Sequence, residues 1–242
     1  MAKSARTASP PKKTGSSPVC GRVSMLATPE LILQLFGVTT VPEFEPMYNT
    51  APTDPVLTVR ADGGGARSAS FMRWGLVPSW AKDAKIGNRL FNARSETAHS
   101  KPSFRSPFRK RRCLVLTDGF YEWQRQRKEK LPWRILHHDG QPFALAGLWE
   151  RWSPPEGAPI ETATVLTMPA NPFIAEIHDR MPLILPASAW ADWLDPSNTD
   201  SNAIKSLIQP YPPEKLSRYR VSTVVNNSRN KDARCAAPLD DA

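Results

Sequence analysis

Prolines recur along almost the whole chain, 25 in 242 residues, about twice the average usage of roughly 5%. Each fixes φ and removes a backbone donor, so neither a long helix nor a central strand runs through it easily. Such a chain is expected to build short strands joined by many fixed loops. The expected class is α+β, with a β-sheet or barrel-like core and short peripheral helices. One domain accommodates this length, and no stretch approaches the ~18 apolar residues that cross a bilayer as a helix.

Local signals place the elements. Thr28-Pro29-Glu30 before Leu31 to Phe36, closed by Gly37, predicts a short helix with Thr28 as N-cap, Pro29 in the first turn and glycine just past the end. Leu57 to Arg60 and Ser68 to Trp74 predict a hairpin around Asp62-Gly63-Gly64-Gly65. Further strands are expected at Cys113 to Leu116, Phe120 to Gln124, Trp133 to Leu136, Phe143 to Trp152, Thr162 to Thr167 and Leu183 to Leu185. Ala187 to Leu194 and Ser201 to Leu207 read as short helices. There is no internal repeat.

Residues 1–19 carry four basic side chains and no acidic one among Ser, Thr and Pro, a composition that cannot bury a core and predicts disorder. They also lack the apolar region of a secretory signal. The domain is expected over residues 20–236, with 237–242 as a flexible tail. Taking the four charges of the extension from the net +9 leaves +5 on the remainder, so the basic character is not confined to the tail. A positive balance suits a polyanionic partner such as nucleic acid.

Cys20, Cys113 and Cys235 lie far apart with no Cys-x-x-Cys pair, which argues against a disulfide framework or a zinc knuckle and fits a reducing cytosol. The four histidines show no metal-ligand spacing with them, and His137-His138-Asp139-Gly140 reads as a turn. No metal and no cofactor are expected. Cys113 should be a buried small hydrophobe and Cys235 inert.

Dinucleotide, P-loop, nucleophile-elbow and zincin motifs do not occur. Four polar phrases beside apolar runs stand out instead: Val19-Cys20-Gly21-Arg22, Phe91-Asn92-Ala93-Arg94-Ser95-Glu96, Asp118-Gly119-Phe120-Tyr121-Glu122-Trp123 and Ile177-His178-Asp179-Arg180-Met181-Pro182. With Tyr48 to Thr53, Trp74 to Trp80, Cys113-Leu114, and Val221 to Thr223 with Val225 to Asn227, the sequence from Cys20 to Cys235 resembles the SOS-response-associated peptidase (SRAP) family, abasic-site processing proteins that crosslink to damaged single-stranded DNA. The resemblance implies that Cys20 matches the catalytic first residue of the mature chain, and that Asn92, Glu122 and His178 match the other active-site positions.

The 19-residue extension departs from that pattern, because an internal Cys20 has a thiol but no α-amine. Val19 is expected to be the true start, read from a valine codon as methionine and trimmed before cysteine. An α-amine of pKa about 7.7–8.0 is partly neutral near pH 7 and can attack the aldehyde of a ring-opened abasic sugar. The adjacent thiol then closes a five-membered thiazolidine. Period-two alternation puts Glu122 on the face of Phe120, opposite Tyr121 and Trp123. Enclosure there would raise its carboxyl pKa and suit it to proton handling, whereas on an edge strand it would pair with Arg125 or Arg127. His178 can protonate the sugar ring oxygen, although a histidine before Asp179 is also a common loop residue. Asn92 can orient the Cys20 amine or the sugar.

DNA contacts are expected from Arg22 and Arg94 to phosphates, from Trp80 and Pro52 to stacked bases, and from Asn49 and Thr167 to backbone or sugar. Arg105 opens a run of five basic residues ending at Arg112, a candidate phosphate track that could equally be a solvated face. The expected protein is a cytoplasmic monomer, nucleoid-associated when on DNA, with self-releasing cysteine autopeptidase and lyase-like companion activities. Two rival classes stay open: a thiol peptidase using Cys20, His178 and Asn92 or Glu122, and a non-catalytic single-stranded DNA-binding module.

Overall fold

The computed structural model describes residues 20–127 and 129–239; the expectations for residues 1–19 lie outside them. Thirteen strands run in chain order: β1 Val23–Met25, β2 Met47–Thr50, β3 Pro55–Ala61, β4 Arg67–Trp74, β5 Asn92–Arg94, β6 Arg112–Thr117, β7 Gly119–Gln126, β8 Glu129–His137, β9 Phe143–Trp152, β10 Ile160–Pro169, β11 Arg180–Pro182, β12 Ile184–Leu185 and β13 Leu216–Arg220. The helices between them are short, the longest being the Pro29–Phe36 helix of eight residues.

Five strands close into a barrel. β4 pairs with β3, β3 with β6, β6 with β9 and β9 with β10, all antiparallel, and a parallel pairing of β10 with β4 at Thr162↔Arg73 and Ala163↔Trp74 completes the circuit. Closure removes free sheet edges. The barrel strands carry a nearly continuous apolar core, from Val59 and Leu114 to Leu148 and Val165. Gly147 lies opposite Cys113, where a Cβ would stand 2.8 Å from the Cys113 sulfur. The buried Cys113 thus fills the space that this glycine leaves, and burial pushes its thiol pKa up.

A second sheet, in the order β13-β8-β7-β1-β2, is joined to the barrel by one residue. β6 ends at Thr117 and β7 begins at Gly119, so Asp118 carries the chain from one sheet to the other. Its carboxylate accepts from Ser24 Oγ at 2.6 Å, Leu26 N at 2.5 Å and Arg134 Nη2 at 2.8 Å. Arg134 also donates to Tyr219 Oη at 2.7 Å, so β1, β7, β8 and β13 meet in one buried network.

Most local expectations hold. Thr28 Oγ1 accepts from Leu31 N at 3.4 Å, Gly37 ends the helix at φ 58°, and Ile32 and Phe36, one turn apart, are its buried residues. Short elements were not anticipated: β1, β2, β5, β11, β13 and the helix Arg105–Lys110. β8 begins at Glu129, ahead of the expected Trp133, because Pro132 keeps its register opposite Trp123 and the hairpin continues beyond it. The chain end is tied down as far as it is described, by a bridge between Val221 and Pro238 and a bond from Leu239 N to Arg220 O at 2.8 Å.

One buried and one partly buried cation correct simpler readings of the basic run. Arg112 turns inward and donates to the carbonyls of Trp193, Phe108, Arg109, Asp195 and Asn198, and Arg111 pairs with Glu150 at 2.6 Å. The run is therefore not one solvated phosphate track. Arg105 itself is exposed, beside Arg109 and Lys110. His137 to Gly140 forms the expected turn, with Gly140 N donating to His137 O at 2.9 Å. The His137, His138 and Asp139 ligand atoms lie within 4.8 Å of one another, and Asp139 Oδ1 holds His137 Nδ1 at 2.5 Å. Among the described residues no helix is long and apolar enough to cross a membrane.

Candidate active site

Strand register brings Cys20 to Glu122. β1 pairs with β7 at Val23↔Phe120 and Ser24↔Gly119, and Tyr121 N donates to Arg22 O at 3.0 Å. Continued antiparallel toward the N-terminus, this pairing puts residues 20 and 21 beside residues 122 and 123. The Cys20 backbone nitrogen donates to Glu122 Oε1 at 2.6 Å. Cys20 is fully buried and holds φ 43°, a left-handed conformation that costs a non-glycine residue about 1 kcal/mol or more.

Glu122 is 1% exposed on β7, which lies between β8 and β1 and is not an edge strand. Phe120 joins the main core while Tyr121 and Trp123 pack in a separate cluster with Val221 and Val225, as the alternation requires. Desolvation pushes the Glu122 carboxyl up to about 8 against the pull of the Cys20 and Trp123 backbone N–H groups, and the charge of Asp179 raises it further. Burial, then the neighbouring Glu122, likewise holds the Cys20 thiol well above its ordinary value.

Asn92 and His178 arrive from the two sides of one strand. The C-terminal half of β10 takes β5 alongside it in parallel, at Val165↔Asn92, Leu166↔Ala93 and Thr167↔Arg94. It takes β11 antiparallel, at Thr167↔Pro182, Met168↔Met181 and Pro169↔Arg180. Asn92 Nδ2 reaches the Cys20 carbonyl at 3.5 Å. His178 Nδ1 stands 3.1 Å from the Arg180 backbone N–H and 3.0 Å from Asp179 Oδ1. In the neutral ring Nδ1 therefore accepts from Arg180 N–H and the proton belongs on Nε2. Arg180 fixes this corner with a forked pair to Glu96 at 2.7 and 3.0 Å and a bond to Thr167 O at 2.8 Å.

A cavity of about 450 Å³ opens here, lined by Gly21, Arg22, Pro52, Phe91 and His178 and extended by Trp123, Arg125, Lys130 and Asn226. Of the expected DNA-contacting residues, Arg22 and Pro52 line it. Arg22 is partly committed: it donates to Asn49 Oδ1 at 2.9 Å, Val225 O at 2.6 Å and Asn226 O at 3.2 Å, and lies 5.8 Å from the Trp123 ring centroid. Arg94 is exposed at the end of β5.

The remaining expected contacts are placed elsewhere. Asn49 is 0% exposed, and its amide bonds the carbonyls of Val225, Asn227 and Asn230; it fastens the loop after β13 and presents no polar edge to solvent. Thr167 is buried, its hydroxyl accepting from Arg180. Trp80 is 59% exposed but lines a different depression, with Lys82, Lys85 and Arg89. Sequence reasoning did not single out Phe91, Trp123, Lys130 or Asn226 as pocket residues. The signal for Trp123 was available in the phrase around Glu122; for Asn226 it lies in a bond from Trp123 Nε1 at 2.6 Å that only the fold creates.

Residues 19–228 match the family described as SOS response associated peptidase (SRAP). The chain is 43% identical over 216 residues to the abasic site processing protein YoqW of Bacillus subtilis, covering 88% of this chain and 96% of that one. It is 36% identical over 227 residues to the abasic site processing protein HMCES of Xenopus tropicalis, covering 81% of this chain and 67% of the relative. A crystal structure of a protein from Bacteroides thetaiotaomicron superposes with a TM-score of 0.82 at 26% identity, over 91% of this chain and all of the other. The chain belongs to the SOS response associated peptidase family.

Proposed function

We propose that this protein recognises abasic sites in single-stranded DNA and joins them covalently through Cys20, in a chain whose first residue is Cys20. The observation that carries this reading is the 2.6 Å approach of the Cys20 nitrogen to a buried carboxyl that is pushed up to about 8, at the edge of a cavity bearing cations. The names of the relatives, which process abasic sites, support the substrate class.

The chemistry needs the groups gathered here. His178 gives its Nε2 proton to the ring oxygen as the sugar opens, and the anomeric hydroxyl returns its own proton to that nitrogen through water, leaving the aldehyde. The neutral Cys20 amine adds to the aldehyde carbon, and one of its protons passes through water to the former carbonyl oxygen to give the carbinolamine. Glu122, protonated by virtue of its raised pKa, gives its proton to the departing hydroxyl, which leaves as water and forms the iminium. The Glu122 carboxylate then takes the thiol proton as sulfur bonds the same carbon, closing the thiazolidine and restoring the acid. Asn92 holds the Cys20 carbonyl and so orients the nucleophile.

The same carboxyl stands beside the amide nitrogen of the Val19–Cys20 bond; giving its proton to that nitrogen as water adds to the acyl carbon would break the bond and leave the preceding segment with a carboxyl end, in keeping with release of that segment. A general thiol peptidase is disfavoured, since thiolate catalysis requires a lowered cysteine pKa and burial here raises it. A passive binding module gives no reason for a carboxyl to be buried against a cysteine nitrogen.

The test is denaturing electrophoresis of a version beginning Met-Cys20, mixed with single-stranded DNA bearing one abasic site, beside the full chain and Cys20→Ser. The expected result is a heat-stable slow band with the short version and none with Cys20→Ser. A band of equal strength and heat stability in Cys20→Ser would overturn the thiazolidine.

A further inference from the structure

On the strength of that reading, we propose that Asp179 is a positioning residue for the opening of the abasic sugar: its carboxylate holds Nδ1–H of a protonated His178, so that the ring can give away its Nε2 proton. Asp179 Oδ1 stands 3.0 Å from Nδ1, and the Arg180 backbone N–H stands 3.1 Å from the same nitrogen. One ring atom thus has an acceptor and a donor within reach, and it uses them in different protonation states. With the ring neutral, Nδ1 accepts from Arg180 and two acceptors, Nδ1 and Oδ1, face each other. A second proton placed between them relieves that approach.

A neutral ring that surrendered its Nε2 proton would be left an anion, so the form that acts as an acid is the imidazolium, in which both nitrogens are donors. The added proton is taken from solvent and sits on Nδ1, where Asp179 accepts it. Nε2–H then passes to the sugar ring oxygen as the C–O bond breaks, and His178 is left neutral with its remaining proton on Nδ1, still held by Asp179. The anomeric hydroxyl returns a proton to Nε2 through water as the aldehyde forms, so no proton is gained or lost over the cycle. The chain keeps the pair in place: His178 N donates to Ile174 O at 3.0 Å, Asp179 O accepts from Ala170 N at 3.0 Å, and Arg180 enters β11 opposite Pro169. Other charges at this corner do not replace the carboxylate. Arg22, Arg125 and Lys130 line the cavity with His178 and oppose an added proton. Arg180 is forked onto Glu96, Glu176 pairs with Arg218, and Glu122 is held at Cys20. Among the described residues, the carboxylate in ion-pair reach of His178 is that of Asp179.

The experiment measures crosslinking rates for a version beginning Met-Cys20, alone and with Asp179→Asn or Asp179→Glu. Each is mixed with single-stranded DNA carrying either a natural abasic sugar or an acyclic aldehyde that lacks the hydroxyl needed to close a ring. The acyclic site requires no ring opening. Asp179→Asn also removes a charge that raises the Glu122 carboxyl, but that change reaches both substrates, so the ratio of the natural to the acyclic rate isolates the opening step. Asp179 is exposed, its side chain at 76%, so either substitution should leave the thermal midpoint unchanged. Asp179→Asn should lower the ratio about tenfold, short of the roughly 100-fold or more lost with a general acid itself. Asp179→Glu, which keeps the charge, should restore most of it. An unchanged ratio in Asp179→Asn, whether both rates hold or fall together, overturns the role of Asp179. A ratio lowered as far by Asp179→Glu also overturns it, because the charge would then not be what matters. No crosslink to either substrate by the unaltered version would instead bring down covalent capture, and the role of Asp179 with it.

Discussion

Asp118 and Glu122 lie four residues apart on one stretch of chain, both buried, and are held in opposite ways. Asp118 accepts from a hydroxyl, a backbone N–H and the Arg134 guanidinium, so its charge is matched and its oxygens are used. Among the described residues Glu122 is held by the backbone N–H groups of Cys20 and Trp123, with the charge of Asp179 acting against its ionisation. The difference separates two uses of a buried acid. A fully partnered carboxylate fixes where two sheets join, whereas a desolvated one without a countercharge is a proton carrier whose pKa has been moved toward neutrality.

The comparison can be broken most sharply at Asp118. Asp118→Ala leaves Arg134 buried and uncompensated, a loss of about 3–5 kcal/mol, which lowers the thermal midpoint by on the order of 10 °C for a domain of this size. Glu122→Gln should leave stability at neutral pH unchanged or higher. Equal losses in the two variants, read by chemical denaturation, would erase the distinction.

Next in size is the pH dependence. The Glu122 carboxyl titrates near its ordinary 4.5 when unfolded and near 8 when folded. Between those values the native state binds more protons, so this group makes wild-type stability fall as pH rises, and a glutamine does not titrate. The advantage of Glu122→Gln over wild type should therefore grow across that window. It should reach a few kcal/mol at most, because each tenfold change in proton affinity is worth about 1.4 kcal/mol. An advantage that shrank with pH would mean that Glu122 is ionised and paired when folded.

A sharper view of the chemistry comes from rates of crosslinking to abasic single-stranded DNA. Glu122→Gln should slow the reaction about 100-fold through loss of proton transfer. Asn92→Ala, which removes one long hydrogen bond to the Cys20 carbonyl, should slow it about tenfold, within the ordinary range for a single hydrogen bond. If Asn92→Ala were the slower of the two, orientation would matter more than proton transfer.

The sequence was most legible where the cause is local. The Thr28 cap, the glycine turn at residues 62 to 65 and the apolar runs of the barrel strands need only neighbours to act. The four central site residues were legible as phrases that resemble a family, and the register at Phe120 and Val23 explains why Cys20 and Glu122 meet. Illegible were features created by distant pairing: the parallel β10–β4 contact that closes the barrel, the three-residue β5 that carries Asn92, and the loop carbonyls that draw Asn49 inward. Arg112 shows the general reason. Nothing in a run of arginines says which one will find five carbonyls from two separate segments.

The central claim is that the bond to DNA forms at the nitrogen and sulfur of Cys20. The most direct measurement is mass spectrometry of the proteolysed crosslink from a version beginning Met-Cys20. The account predicts that the deoxyribose remnant maps to an N-terminal peptide beginning with Cys20, with its thiol blocked to alkylation. A remnant on a lysine, or on a Cys20 peptide whose thiol still alkylates, would contradict it.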